Sequence, residues 1–213
     1  MDIKEIETRL QQGISAIRQN SLEEARNIFL DLLEHEESAA AYCNLGMIEL
    51  MKQPHPDPRQ AIQYLSKAVK LDDRLFYGYL NLGTAHFILG ELPQAEQHYL
   101  KAVQVDPKNI EGHMNFGVFN THVMKLEQAK HSFEQVLRID GSSFRALFML
   151  GSVYMELREY YPALANILYA LRMDPEHLES RILLAEIYRR IGRYDTAATE
   201  LIQLVETHPE MMS

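Results

Sequence analysis

The sequence has almost no cysteine and no long apolar run. Its single cysteine, Cys43, excludes a disulfide within the chain and a zinc site made of cysteines. The opening segment, MDIKEIETRL, is partly acidic and has no apolar stretch of the kind found in secretory signals. No apolar run approaches the roughly 18 residues that a membrane-spanning helix needs. These absences predict a cytoplasmic protein with no segment inserted in a membrane.

Positive charge is also scarce. The chain carries 21 Lys and Arg against 30 Asp and Glu, which gives a net charge of −9. Binding to a phosphate backbone requires clustered Lys and Arg side chains. The densest group of cations, Arg189, Arg190 and Arg193, is typical of a solvated helix end. The sequence therefore predicts no nucleic-acid partner.

Motifs for catalysis and metal binding are missing as well. The sequence has no glycine-rich phosphate loop, no nucleophile elbow and no H-E-x-x-H pair. His113, His122 and His131 are spaced by nine residues, whereas two ligands on one helix face need a spacing of about three or four. We therefore expect no catalytic residue, no metal, no cofactor and no enzymatic activity.

The chain does have a repeat of small residues. A glycine recurs at Gly13, Gly46, Gly83, Gly117 and Gly151, with Ala185 in the sixth place. An alanine follows each of them, at Ala25, Ala61, Ala95, Ala129, Ala163 and Ala197, and from Ala61 onward these alanines are 34 residues apart. Apolar residues around both positions have the helical period. A period of this length indicates an array of helix pairs, in which the small residues let the two helices approach closely.

This pattern resembles the tetratricopeptide repeat family. In the third unit it comprises Tyr79, Leu82, Gly83, Ala95, Tyr99, Ala102 and Pro107, and in the sixth it ends with Pro209. The resemblance implies an all-α fold, a right-handed superhelical solenoid of six helix-turn-helix repeats in a single array over residues 1–213. The repeats lie at about 6–38, 39–75, 76–109, 110–143, 144–177 and 178–211.

The resemblance also implies a binding surface, because the first helix of each repeat lines the concave groove of such arrays. The slot two residues before the repeated glycine holds Asn44, Asn81 and Asn115. An asparagine side chain donates and accepts hydrogen bonds, so a row of them can bind the backbone of an extended peptide. The alternative is a structural role, since asparagine is common at this slot in the family. The other predicted groove residues are Met47, Tyr77, Thr84, Met114, Val118, Arg145 and Ser152.

We therefore expect a non-catalytic protein–protein interaction scaffold that binds an extended or helical segment of another protein in its groove. Family members that bind a partner's C-terminal carboxylate use Lys and Arg at the groove slots. Here Arg145 is the one cation among those slots, so that role is not expected.

The alternative is an assembly factor that acts through its ends or by self-association. The stretches AKHSFEQVLRID, REYYPAL and DTAA are loosely similar to pilotins of type IV pilus assembly. In the last repeat, Leu201, Leu204 and Val205 belong to an apolar face that is expected to be partly open. Such a face would allow a homodimer through the C-terminal end.

The second repeat differs from the others between its two helices. It reads MKQPHPDPRQ there and is about three residues longer than its counterparts. Asp57 is predicted to cap the following helix and Pro58 to begin it. The segment is interpreted as a surface insertion, with a partner-contacting spur as the alternative.

Overall fold

The computed structural model describes residues 3–207, and within them the chain forms twelve α-helices and no β-strand. The helices are α1 (Ile3–Arg18), α2 (Leu22–His35), α3 (Ala39–Met51), α4 (Pro58–Leu71), α5 (Phe76–Ile88), α6 (Leu92–Val105), α7 (Ile110–His122), α8 (Leu126–Ile139), α9 (Phe144–Glu156), α10 (Tyr160–Met173), α11 (Leu178–Arg190) and α12 (Tyr194–Thr207). The predicted all-α fold, a solenoid of helical repeats, is confirmed. Pro209, predicted to end the sixth repeat, lies outside the described residues.

The chain divides into two compact units, Met1–Gly112 and His113–Ser213. In unit 1, α1 packs on α2, α3 on α4 and α5 on α6. In unit 2, α9 packs on α10 and α11 on α12. No helix within residues 3–207 combines the length and apolar character that crossing a bilayer requires.

The repeated glycines lie where the two helices of a pair come closest. A Cβ atom at Gly83 would lie 2.7 Å from a ring carbon of Tyr99, and one at Gly117 would lie 2.6 Å from a ring carbon of Phe133. Gly13, Gly46 and Gly151 meet Phe29, Leu65 and Ile167 in the same way. Each large side chain stands four residues after the repeated alanine, so the predicted packing is confirmed in five repeats. In the sixth, the side chain in that position, Leu201, is 48% exposed.

Each unit has its own apolar core, which joins one repeat to the next. In unit 1, Phe29 and Leu32 of α2 pack with Leu45 and Ile48 of α3, and all four are fully buried. In unit 2, one cluster centres on Phe133 of α8 and includes residues of α7 and α9, and another joins α10 to α11. Burying each such side chain stabilises the fold by about 1.5–3 kcal/mol before entropy is counted.

The turns inside the repeats share one backbone conformation. The residue seven places after the repeated small residue has a positive φ in five repeats, at Asn20, Gly90, Met124, Arg158 and Gly192, with values from 59° to 81°. The next N–H donates to a carbonyl in the last turn of the first helix, as Glu91 N does to His86 O at 2.9 Å. This left-handed ending satisfies carbonyls that the helix leaves unpaired.

The second repeat ends its first helix differently. In place of the left-handed residue, the backbone N–H of Asp57 donates to the carbonyl of Glu49 at 2.9 Å, which closes the longer loop. The Asp57 side chain accepts a hydrogen bond from Gln60 N at 2.9 Å, and Pro58 begins α4. The predicted cap is therefore confirmed, and the extra residues form a surface loop between α3 and α4.

Candidate protein-binding surface

The first helices of unit 1 pack on one another as well as on their own partners. α3 contacts both α1 and α5, so residues at equivalent positions of α3 and α5 lie on neighbouring helices. On α3, Asn44 and Met47 share one helix face, and on α5, Tyr77 and Asn81 do so, because each pair is three or four residues apart. These four residues and Thr84 are the part of the predicted groove that lies in unit 1.

Asn44 and Asn81 use only part of their hydrogen-bonding capacity within residues 3–207. Both are half-buried. Nδ2 of Asn44 donates to the carbonyl oxygen of Ala40 at 2.9 Å, one turn earlier in the same helix. The Asn81 side chain instead hydrogen bonds to the thiol of Cys43 on α3. Each amide has further donors or acceptors, so both asparagines can contact a partner, and Asn81 also links two repeats.

Cys43, which lies next to Asn44 on α3, is chemically inert. Its side chain is 8% exposed. Burial raises the pKa of the thiol to about 12, and the hydrogen bond from Asn81 offsets only part of that effect. The thiol therefore stays protonated at neutral pH, which disfavours nucleophilic or metal-binding chemistry.

Tyr77 is the most exposed residue of the predicted groove in unit 1. Its side chain is 51% exposed, and its ring meets that of Phe76 edge to face at a centroid distance of 5.0 Å. Desolvation and the nearby carboxylate of Glu111 raise the pKa of its hydroxyl. A tyrosine held on a rigid helix offers a partner both a large apolar face and a hydrogen-bonding tip.

Thr84 lies on the same helix, but its hydroxyl is hydrogen bonded to residues of α5 and α6. It donates to the carbonyl oxygen of Leu80 at 3.2 Å and accepts from the hydroxyl of Tyr99 on α6 at 3.2 Å. The structure therefore gives Thr84 a role in joining α5 to α6, next to the close approach at Gly83.

The remaining predicted groove residues belong to unit 2. Asn115 and Val118 of α7 are half-buried. Met114 is 6% exposed and packs in the core cluster around Phe133, so its side chain fills the interior and is not a surface contact. On α9, Arg145 is exposed, and Ser152 is half-buried with its hydroxyl donating to the carbonyl of Phe148 at 3.0 Å.

Two buried polar residues were not predicted from the sequence. Both stand three places after the repeated glycine, where the fifth and sixth repeats have tyrosine. Glu49 is 1% exposed, with its carboxylate 2.5 Å from Nζ of Lys52 and 3.5 Å from Nε of Arg26. Asn120 is fully buried. The other repeats have alanine or an aromatic side chain at this place, so an acidic or amide side chain there is the sequence signal that could have found them. The Arg26–Glu49 contact ties α2 to α3.

The helix pairs, the close approach at each small residue and the shared turn define a class of protein, the all-α solenoids of helical repeats. A family model described as tetratricopeptide repeat matches residues 76–109, and a second with the same description matches residues 149–210. The chain belongs to the tetratricopeptide repeat family. Proteins with this repeat are generally non-catalytic scaffolds for protein–protein interactions, and the fold supports that general function here.

Solved structures with the same fold cover most of the chain. The structure reported for Pseudomonas aeruginosa pilF has a TM-score of 0.80 at 23% identity, over 96% of this chain and 92% of that one. MamA from Desulfovibrio magneticus RS-1 has a TM-score of 0.74 at 20% identity, over 84% and 99% of the two chains. YrrB, described as having an unusual peptide-binding site, has a TM-score of 0.75 at 17% identity, over 86% and 94%. No curated protein sequence matches the chain.

Proposed function

We propose that the chain binds an extended or helical segment of a partner protein through the first helices of its repeats. The observation that carries this proposal is the pair Asn44 and Asn81, which lie at the same repeat position on neighbouring helices with hydrogen-bonding capacity to spare. Asn115 holds the same position in α7. The described peptide-binding site of YrrB, a protein of the same fold, supports a peptide segment as the class of ligand.

The spacing of the helices suits an extended segment. Packed helices lie about 8–10 Å apart, and an extended chain advances about 3.3 Å per residue. Amides on neighbouring helices would therefore contact backbone groups about three residues apart. Because these contacts are to the backbone, they would give affinity with little dependence on the partner's sequence.

Selectivity would come from the side chains beside the amides. Tyr77 is 51% exposed, and tyrosines on rigid supports are frequent anchors in interfaces. Met47 is half-buried and flexible enough to fit varied apolar partners. Arg145 is the one cation among the predicted groove residues, so we expect binding that changes little with salt concentration.

Photocrosslinking tests this proposal. A photoreactive amino acid in place of Tyr77 should capture a discrete partner, and the same amino acid in place of Tyr161 on α10, which is 71% exposed, should not capture it. Replacing Asn44, Asn81 and Asn115 with Ala should remove the crosslink while leaving most of the helical content.

A matched control is available for the loss of a local hydrogen bond. Nδ2 of Asn166 donates to the carbonyl of Pro162 at 2.9 Å, as Nδ2 of Asn44 does to Ala40, but Asn166 lies on a second helix. Asn166→Ala should leave the crosslink intact. Loss of the crosslink in Asn166→Ala, or its survival in the triple variant, would contradict a role for the asparagines in binding.

The second candidate function is an assembly factor that self-associates through its last repeat. The observation in its favour is the exposure of large apolar side chains on α12, where Leu201 is 48% and Ile202 is 59% exposed. Leu204, on the same helix, is only 1% exposed and belongs to the core, while Val205 is half-buried. Of the three residues expected to form an open face, only Leu201 is largely exposed, and Ile202 lies exposed beside it.

Light scattering over a range of concentrations tests the second candidate. If α12 mediates a homodimer, the mass should rise with concentration, and Ile202→Glu should hold the chain monomeric. Thr199→Glu places the same charge at another exposed position of α12 and serves as the control. A chain that is monomeric at every concentration would rule out this mode of action.

A further inference from the structure

A cleft in unit 2 contains a buried arginine that the proposed groove does not use. The cleft lies where α10, α11 and α12 meet and has a volume of about 460 Å³. Leu168 and Leu171 of α10 contribute apolar wall, and Arg172 and Arg181 contribute two guanidinium groups. The cleft therefore offers positive charge beside apolar surface.

Arg181 is unusual in its burial. It is 9% exposed, although an arginine loses favourable hydration when it is removed from water. Among residues 3–207, its Nη2 contacts Oε1 of Gln203 at 3.5 Å, and its Nη1 lies 3.8 Å from Oε2 of Glu176. The first distance is at the limit for a hydrogen bond and the second is beyond it. The guanidinium is thus short of well-placed acceptors.

Two acidic residues also line the cleft, but among the described residues neither is hydrogen bonded to Arg181. Glu176, whose side chain is 74% exposed, forms an ion pair with Arg181 at 3.8 Å but no hydrogen bond. Within the described residues, Glu200 forms no ion pair with the guanidinium. A carboxylate matches the planar fork of a guanidinium with two parallel hydrogen bonds. An incoming carboxylate would therefore satisfy Arg181 better than the residues around it do.

We propose that this cleft binds an aspartate or glutamate side chain of a partner protein, with the partner's neighbouring apolar residues packed on Leu168 and Leu171. A carboxylate already lies near Arg181, because Oε2 of the largely exposed Glu176 is 3.8 Å from its Nη1. Exposed Arg172 adds positive charge that attracts an acidic side chain to the cleft, in a chain whose overall net charge is −9. The site is separate from the asparagine-lined helices and does not depend on the function proposed for them.

Three short synthetic peptides test this proposal on the full chain. All are acetylated and read Ala-Leu-Leu followed by a last residue: Asp with an amidated end, Asn with an amidated end, or Asn with a free carboxylate. We expect calorimetry to show that the Asp peptide binds about tenfold more tightly than the amidated Asn peptide. Arg181→Gln should abolish that difference.

Glu176→Gln provides a second variant that leaves the fold undisturbed, because the side chain it changes is largely exposed. It removes the competing carboxylate and should strengthen binding of the Asp peptide by roughly threefold. Asn81→Ala should leave that binding unchanged.

Four results would overturn the proposal. The first is equal binding of the amidated Asp and Asn peptides by the unmodified chain, and the second is discrimination that persists in Arg181→Gln. The third is loss of binding in Asn81→Ala, which would place the peptide on the asparagine-lined helices. The fourth is tighter binding of the Asn peptide with a free carboxylate than of the amidated Asp peptide. That result would show that the cleft binds the C-terminal carboxylate of a partner and not an acidic side chain.

Discussion

At the scale of single residues, the repeated glycine controls how closely two helices pack. A Cβ at Gly83 would lie 2.7 Å from the ring of Tyr99, which is itself 4% exposed and hydrogen bonded to Thr84. We expect Gly83→Ala to lower the free energy of unfolding by about 1–3 kcal/mol, because overpacking outweighs the gain in helix propensity. Urea unfolding measures the change.

Gly141 supplies the matched control for this substitution. An added Cβ there would meet its nearest atom, a carbonyl oxygen, at an ordinary 3.7 Å. Gly141→Ala should therefore change stability by no more than about 0.5 kcal/mol. A Gly83→Ala variant as stable as Gly141→Ala would show that the ring of Tyr99 can move aside without loss.

The buried thiol gives a pH-dependent prediction. The pKa of Cys43 rises from its ordinary 9.0 to about 12 in the fold, so the folded state keeps a proton that the unfolded state releases. Its contribution to stability is complete below about pH 9 and is lost as the pH rises from there toward 12. Chemical unfolding measures this between roughly pH 8.5 and 10.5, a range that begins near the ordinary pKa of a thiol. Across it, the free energy of unfolding should fall more steeply with pH for the natural chain than for Cys43→Ala. Parallel slopes for the two chains would contradict this account.

The sequence predicts which residues of the candidate site lie on the first helices, and the structure sets which of them are exposed. The repeat pattern predicts which slots lie on the first helices, and Asn44, Asn81 and Tyr77 are partly or largely exposed there. The pattern does not distinguish a slot that faces solvent from one turned slightly toward a neighbouring helix. Met114 is therefore in the core, and Thr84 bonds to Tyr99, because the tilt of each helix in its pair sets the direction of a side chain.

At the scale of helices and turns, the left-handed residue after the first helix is a point of strain in the three repeats where it is not glycine. Arg158 has a φ of 62°, which is unfavourable for a residue with a Cβ and favourable for glycine. We expect Arg158→Gly to raise the free energy of unfolding by about 0.5–1 kcal/mol, since relief of strain exceeds the added flexibility of the unfolded chain. Thermal unfolding provides the measurement.

Arg158→Ala separates the backbone effect from the loss of the arginine side chain. It removes the guanidinium but keeps a Cβ in the left-handed conformation, so no stabilisation is expected. If the alanine variant gains as much as the glycine variant, the charge of Arg158, and not its backbone conformation, is the source of the effect.

At the scale of the whole molecule, stability should follow the units in which the helices pack. The core clusters of unit 1 that lie on α1 to α5 are complete within residues 1–112. Repeat arrays are stabilised mainly by contacts between neighbouring repeats. We therefore expect a fragment of residues 1–112 to fold cooperatively, with helical circular dichroism and a sharp thermal transition.

A fragment of residues 1–91 is the comparison. It lacks α6, and with it the ring of Tyr99 that packs on Gly83, so the apolar face of α5 loses its cover. Its transition should be lower by more than about 10 °C, or absent. Equal stability of the two fragments would show that α6 contributes little to unit 1.

The sequence by itself determined the all-α class, the helix pairs and the family, because a 34-residue period of small residues leaves few other ways to pack helices. It also determined the Asp57 cap, since capping depends on contacts only a few residues apart. The tertiary structure alone decided that Glu49 is buried and contacts Arg26, that Leu201 is exposed, and that Arg181 lies in a cleft formed by three helices. Those outcomes depend on which residues of different helices meet, and burial and charge pairing are set by such neighbours and not by position along the chain.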